Sequence, residues 1–164
     1  PMSVRENMIL GYHDFPEFSR KGFLRQKYIS EYTRKNVEKF QVKTASIDTP
    51  VGKLSGGNQQ KVVMARVLSR DLDVLVVAHP TRGVDIGSSE YLHQQILAFR
   101  DAGKAVLLIS ADLDEVYTLS DRLAVIYDGR LVAECVPEEY TKVQLGLLMT
   151  GSPLETVRKE SEHA

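Results

Sequence analysis

Residues 74–110 read VLVVAHPTRGVDIGSSEYLHQQILAFRDAGKAVLLIS. Val74–Ala78 is a short, valine-rich run without polar alternation, and Ala105–Ser110 is a second. Apolar runs of this length suit burial on both faces, as in the central strands of a parallel sheet. Between them, the spacing predicts a helix over Ser88–Ala102, with Leu92, Ile96 and Phe99 inward and Gly103 ending it. Strand, helix and strand in this order form a βαβ unit, which predicts a parallel sheet and an α/β fold.

Upstream of this unit, Leu54-Ser55-Gly56-Gly57-Asn58-Gln59-Gln60-Lys61 opens a helix expected to reach Arg70, with Ser55 as its N-cap. Val63 and Val67, like Met64 and Leu68, stand four apart, so this helix should be well buried. Thr49-Pro50 and Gly52 mark the connection before it. An earlier helix is expected from Gly22 to Phe40, with Leu24, Tyr28 and Tyr32 on one face. Its other face carries Lys21, Arg25, Lys27, Arg34 and Lys35, and reads as solvated. Residues 3–20 are mixed in character.

Downstream, Asp112 and Glu115 form a capping-box pattern for a short helix to Leu119. Leu123–Tyr127 and Leu131–Cys135 flank Asp128-Gly129, a strong hairpin signal. Pro137 is expected to start a final helix to Met149, with Gly151 just beyond it and a charged, frayed tail after Ser152. The organisation expected is a helical subdomain over 3–70, the C-terminal part of an α/β core over 71–136, and a helix and tail over 137–164.

The formal net charge of −1 supplies no overall basic field for nucleic acid or anionic lipid, so no nucleic-acid partner is expected. The single cysteine, Cys135, cannot form an internal disulfide and fits a reducing compartment. The longest apolar runs are strand-sized, well short of the roughly 20 residues of a spanning helix. A membrane role would therefore come through a partner.

The chemistry concentrates at Ser55-Gly56-Gly57. A helix start offers unpaired N–H groups and partial positive charge, which suit a phosphate. Glycines allow a ligand or another backbone to approach. A glycine-rich turn before a core helix accounts for the same residues.

The run at 54–61 resembles the signature motif of ABC ATPases, in the form found in sugar and nucleoside importers. Val74–Asp85 resembles that family's Walker B strand and D-loop, and Leu107–Val116 its switch region. Ser120-Asp121-Arg122 and Tyr127-Asp128-Gly129-Arg130 match the stretch that follows. The resemblance covers almost the whole chain. It implies a partial P-loop NTPase domain whose N-terminal, phosphate-loop half is absent. The only Gly-Lys pairs, Gly52-Lys53 and Gly103-Lys104, lack the G-x-x-x-x-G-K-[ST] pattern, and the Q-loop is missing too.

The sequence departs from the family pattern at three positions. Ala78 and His79 stand where the family has a magnesium-supporting Asp and a water-polarising Glu, and Ala111 stands at the switch histidine. Alanine offers no oxygen to a hard cation. His79 is either a base in its own right or a residue at a strand end; an imidazole does not replace a carboxylate's negative charge. The resemblance therefore implies a domain with no catalytic residues of its own and no metal ligands. It would lend Leu54, Ser55, Gly56, Gly57, Asn58 and Gln59 to ATP held by a sibling domain, with Gly83, Val84 and Asp85 as the D-loop at the same interface.

In this the chain resembles the second domain of a tandem importer ATPase. ATP and Mg2+ are implied in the intact transporter, and none is expected in the isolated chain. The implied partners are the sibling domain and transmembrane permease subunits, at the inner face of the plasma membrane; the apolar sheet edge is expected either to drive self-association of the isolated chain or to be covered by rearranged local segments. A non-catalytic module docking on the permease is a second reading. A soluble ABC protein of translation or repair is a third, disfavoured by Asn58–Lys61 and Thr81-Arg82-Gly83.

Overall fold

A computed structural model describes residues 2–153 together with Glu155 and Val157. It divides into two compact units, one up to Leu107 and one from Leu108 onward.

In the first unit, α1 (Val4–Met8) is a short helix closed by a capping box. The Glu6 N–H donates to Ser3 Oγ at 3.2 Å, and the Ser3 N–H donates to Glu6 Oε2 at 2.7 Å. The helix expected from Gly22 begins later. Lys21 and Gly22 both take positive φ, 50° and 81°, which is the geometry of a two-residue hairpin turn. The chain therefore folds back as β1 (Ser19–Arg20) and β2 (Phe23–Leu24), pairing Ser19 with Leu24 and Arg20 with Phe23. Only then does α2 (Gln26–Lys39) start.

The buried side of α2 is Ile29, Thr33 and Asn36, not the expected line of Leu24, Tyr28 and Tyr32. Leu24 belongs to the hairpin, and Tyr28 is exposed. Phe18 draws the tyrosines sideways instead, with ring centroids 5.7 Å from Tyr28 and 5.0 Å from Tyr32. A short 3-10 turn (Val51–Lys53) leads into α3 (Gly56–Leu68). Val4, Met8, Phe40, Val42, Val62 and Ala65 form the core of these helices. Each large apolar side chain fully buried there contributes about 1.5–3 kcal/mol. Val63 faces out, so α3 is less enclosed than its composition suggests.

The sheet of this unit holds β3 (Val74–Ala78) beside β4 (Ala105–Ile109), within which the division between units falls. The strands run parallel, and the Ala105 N–H donates to the Asp73 carbonyl at 2.9 Å. Their connection is α4 (Ile86–Asp101), which starts two residues earlier than expected because Asp85 caps it. Burial on both faces is not observed. Leu75 is 3% exposed, whereas Val74 and Val76 are 57% and 62% exposed. Among the described residues, packing covers only the Leu75 side of β3.

In the second unit, α5 (Leu113–Leu119) begins at Asp112, whose Oδ1 accepts from the N–H groups of Asp114 and Glu115. β5 (Leu123–Tyr127) and β6 (Arg130–Cys135) form the expected hairpin. Asp128 (φ 46°) and Gly129 (φ 70°) make its turn, and a bulge follows Val125. Pro137 does not start the last helix; it opens a 3-10 turn over Pro137–Glu139. The helix α6 (Lys142–Met149) starts instead at a capping box between Thr141 and Gln144, which satisfies its first N–H groups. Leu123, Val125, Ala133, Cys135, Leu145 and Leu148 form this unit's core. Most of the expected charged tail lies outside the described residues. Among the described residues, no helix is long and apolar enough to cross a membrane.

Candidate functional site

The start of α3 sits against the segment that joins β3 to α4. Ser55 holds the N-cap position (φ −61°, ψ 156°), but its side chain does not cap the helix. Its hydroxyl accepts from Asn58 Nδ2 at 2.9 Å instead. Asn58 Oδ1 accepts from the Lys43 N–H at 2.7 Å, and Gln59 Nε2 donates to the Leu54 carbonyl at 2.8 Å. These amide side chains tie the preceding loop to the first turn. Ser55 and Gly56 remain exposed, while Gly57 is buried.

Both glycines are required by packing. A Cβ on Gly56 would stand 2.8 Å from the Gly83 carbonyl oxygen. A Cβ on Gly57 would stand 2.4 Å from Ser88 Oγ and 2.9 Å from Asp85 Oδ2. Close approach by another backbone is thus realised at Gly56 within the chain itself, while at Gly57 the approaching atoms are side chains of Ser88 and Asp85.

The opposing segment is held by local bonds. Arg82 N–H donates to His79 O at 3.2 Å, and Val84 N–H to Thr81 O at 3.1 Å. His79 takes φ 47° and Gly83 φ 74°, so the chain turns sharply at both. Asp85 caps α4, its Oδ1 accepting from the Ser88 N–H at 3.0 Å. That bond, reinforced by the Ser88 hydroxyl, holds the Asp85 carboxyl below its ordinary range. Further along, Lys61 Nζ lies 4.5 Å from the Tyr91 ring centroid, a cation–π contact between α3 and α4.

Sequence reading places Leu54–Gln59 and Gly83–Asp85 as two candidate groups, and the fold brings them together. It misses Ser88 and Tyr91, which meet α3 only in three dimensions. Ala78 and His79 are exposed at the end of β3; Ala111 belongs to the second unit. At the end of β3 the side chains do not fit a magnesium ion: Ala78 offers a methyl and His79 an imidazole, and neither supplies an oxygen. Among the described residues, no three His, Cys, Asp or Glu side chains are grouped as metal ligands.

Solved structures share this fold. An ATP-binding cassette of an ABC transporter superposes with TM-score 0.67 at 24% identity, over 96% of this chain and 62% of that one. A nucleotide-free ATP-binding cassette superposes with TM-score 0.64 at 25% identity, over 84% and 56%. The nucleoside import ATP-binding protein NupA of Lactococcus lactis is 45% identical over 92% of this chain and 30% of its own length. The guanosine import ATP-binding protein NupO of Bacillus subtilis is 42% identical over 91% and 29%. The chain is homologous to ABC import ATP-binding proteins.

The ribose import ATP-binding protein RbsA of Oceanobacillus iheyensis extends the set, at 39% identity over 91% of this chain and 30% of its own length. This ABC ATPase homologue spans about 30% of the length of the curated relatives it matches. No family model matches it. Its fold is that of the ABC ATPase domains, with helices on a parallel sheet.

Proposed function

We propose that this chain is the C-terminal part of the second ATPase domain of a tandem importer subunit for nucleosides or sugars. It presents the start of α3 to ATP bound on a sibling domain, and its own site does not hydrolyse. The observation that carries this reading is the exposed Ser55, whose hydroxyl accepts from the Asn58 side chain and makes no bond to the backbone N–H groups of its own helix. First-turn N–H groups beside such a hydroxyl suit an anion brought from outside. The anion would be the terminal phosphate of ATP, with Mg2+ held by the sibling. ATP supplies the cleavable phosphoanhydride; Ser55 and the first turn of α3 supply orientation and charge stabilisation. In this arrangement permease subunits carry the cargo, and the domain works at the inner face of the membrane.

Gly56 is a poor place to test this, because any side chain there meets the Gly83 carbonyl. Ser55→Asp is cleaner. Aspartate is at least as good an N-cap as serine, so the helix start survives. It also sets a carboxylate against the incoming phosphate. In the assembled transporter, steady-state ATPase should fall by about 10²-fold or more for Ser55→Asp. His79→Ala should leave it near normal. Near-normal turnover in Ser55→Asp, with a severe loss in His79→Ala, would assign the chemistry to this domain's own strand end. Unchanged turnover in both would favour a module that only docks on the permease.

A further inference from the structure

The β1–β2 hairpin creates a surface that an uninterrupted helix would not. Residues 20–28, Arg-Lys-Gly-Phe-Leu-Arg-Gln-Lys-Tyr, are all exposed. They contain four cations and no acid, and the nearest acids in sequence are Glu17 and Glu31. Phe23 is 80% exposed, an unusual cost for a phenyl ring in water. The register sets Arg20 directly opposite Phe23, so a cation and the ring share one face of the hairpin. Lys21 occupies the turn itself, and Lys27 follows in the first turn of α2. Arg25 is used internally: its Nη1 donates to the Glu17 carbonyl at 3.1 Å, which fixes the hairpin to the helix start. The base of the tip is therefore held while its ring and three cations face out.

We propose that this hairpin tip docks on an anionic lipid bilayer. Phe23 enters the headgroup region, and Arg20, Lys21 and Lys27 lie against lipid phosphates. An apolar projection ringed by cations is what such a surface selects: the ring gains burial, and each cation near the surface adds attraction. A nucleic-acid duplex would satisfy the cations but keep its bases stacked away from Phe23; a single strand, whose bases could stack on the ring, is the alternative that comparison with polyuridylate tests. The overall charge of −1 does not oppose this, because screening confines the interaction to the local patch. The inference is independent of the nucleotide reading above.

The chain has no tryptophan, so Phe23→Trp places a single reporter at the tip. Its emission should shift to the blue with vesicles of phosphatidylcholine containing phosphatidylglycerol, and not with phosphatidylcholine alone. The wild-type chain should co-sediment with the same vesicles, so the result does not depend on the reporter variant alone. Replacing Arg20 and Lys21 together by glutamine should lower the partition coefficient about 25-fold, from roughly fivefold per cation. Salt near 1 M, where the screening length is about 3 Å, should release the protein. Failure of the wild-type chain to co-sediment overturns the proposal. So does equal binding to neutral vesicles, indifference to the paired glutamine substitution, or tighter binding to polyuridylate than to the anionic vesicles.

Discussion

At Gly57 a methyl group would stand 2.7 Å from the Ser88 Cβ as well as 2.4 Å from its Oγ. Such overpacking costs about 1–3 kcal/mol, because α3 and α4 must separate to admit it. Gly57→Ala should lower the unfolding free energy by that amount in a urea melt. Ser88→Gly in the same chain should recover part of the loss, since it removes two of the three offending atoms and leaves Asp85 Oδ2. Asp85, across the same junction, adds a pH dependence. Its carboxyl is held below the ordinary 3.8, first by the Ser88 N–H. A depressed carboxyl stabilises the fold fully above its unfolded value, and that contribution fades as pH falls through the folded value. Thermal stability should therefore decline in acid. Asp85→Asn keeps a capping oxygen but removes the charge. A melting-temperature series from about pH 5 down to about pH 2, through the ordinary carboxylate value and the range below it, should give a flatter acid limb for that variant. An acid limb as steep as wild type would assign the dependence to other carboxylates.

Among the elements, those whose signals are local are legible in the sequence. Asp112 and Glu115 announce α5, and Asp128-Gly129 announces the β5–β6 hairpin, because cap and turn chemistry act within four residues. The β1–β2 hairpin is hidden. Lysine is an uncommon residue at positive φ, and the spacing of Leu24, Tyr28 and Tyr32 imitates a helix face across the turn. At the other end, Pro137 draws attention from the stronger signal four residues on. There Thr141 Oγ1 accepts from the Gln144 N–H at 3.3 Å, while Gln144 Oε1 accepts from the Thr141 N–H at 2.8 Å. Thr141→Ala removes the hydroxyl half of that box. It should destabilise the chain by about 1 kcal/mol in denaturant titration. The site divides in the same way. The glycine pair can be read from sequence, whereas Ser88 and Tyr91 are joined to it only by the packing of α4 on α3.

For the molecule as a whole, the sheet carries an unmet demand. The run Val74–Ala78 has the composition of a strand enclosed on both faces, yet Val74 and Val76 lie in solvent. Apolar strand surface of this kind invites association with another chain. Sedimentation velocity should therefore detect oligomers that grow with concentration. Val76→Lys should suppress them while changing monomer stability by no more than about 0.5 kcal/mol, since the side chain is already mostly exposed. A wild-type chain that stays monomeric across the range would mean that this face is tolerated in water.

The glycines of α3 also bear on how a mutational scan of this protein would read. Any side chain at position 56 or 57 collides with Gly83, Asp85 or Ser88 before a ligand is involved. A growth screen would score both positions as intolerant in a protein that never meets a nucleotide, and equally so in one that does. Intolerance there says nothing about activity. The discriminating position is Ser55, where the fold accepts several residues and only a ligand would be selective. The ratio of tolerance at 55 to tolerance at 57 is thus a readout of binding that already has its folding control built in.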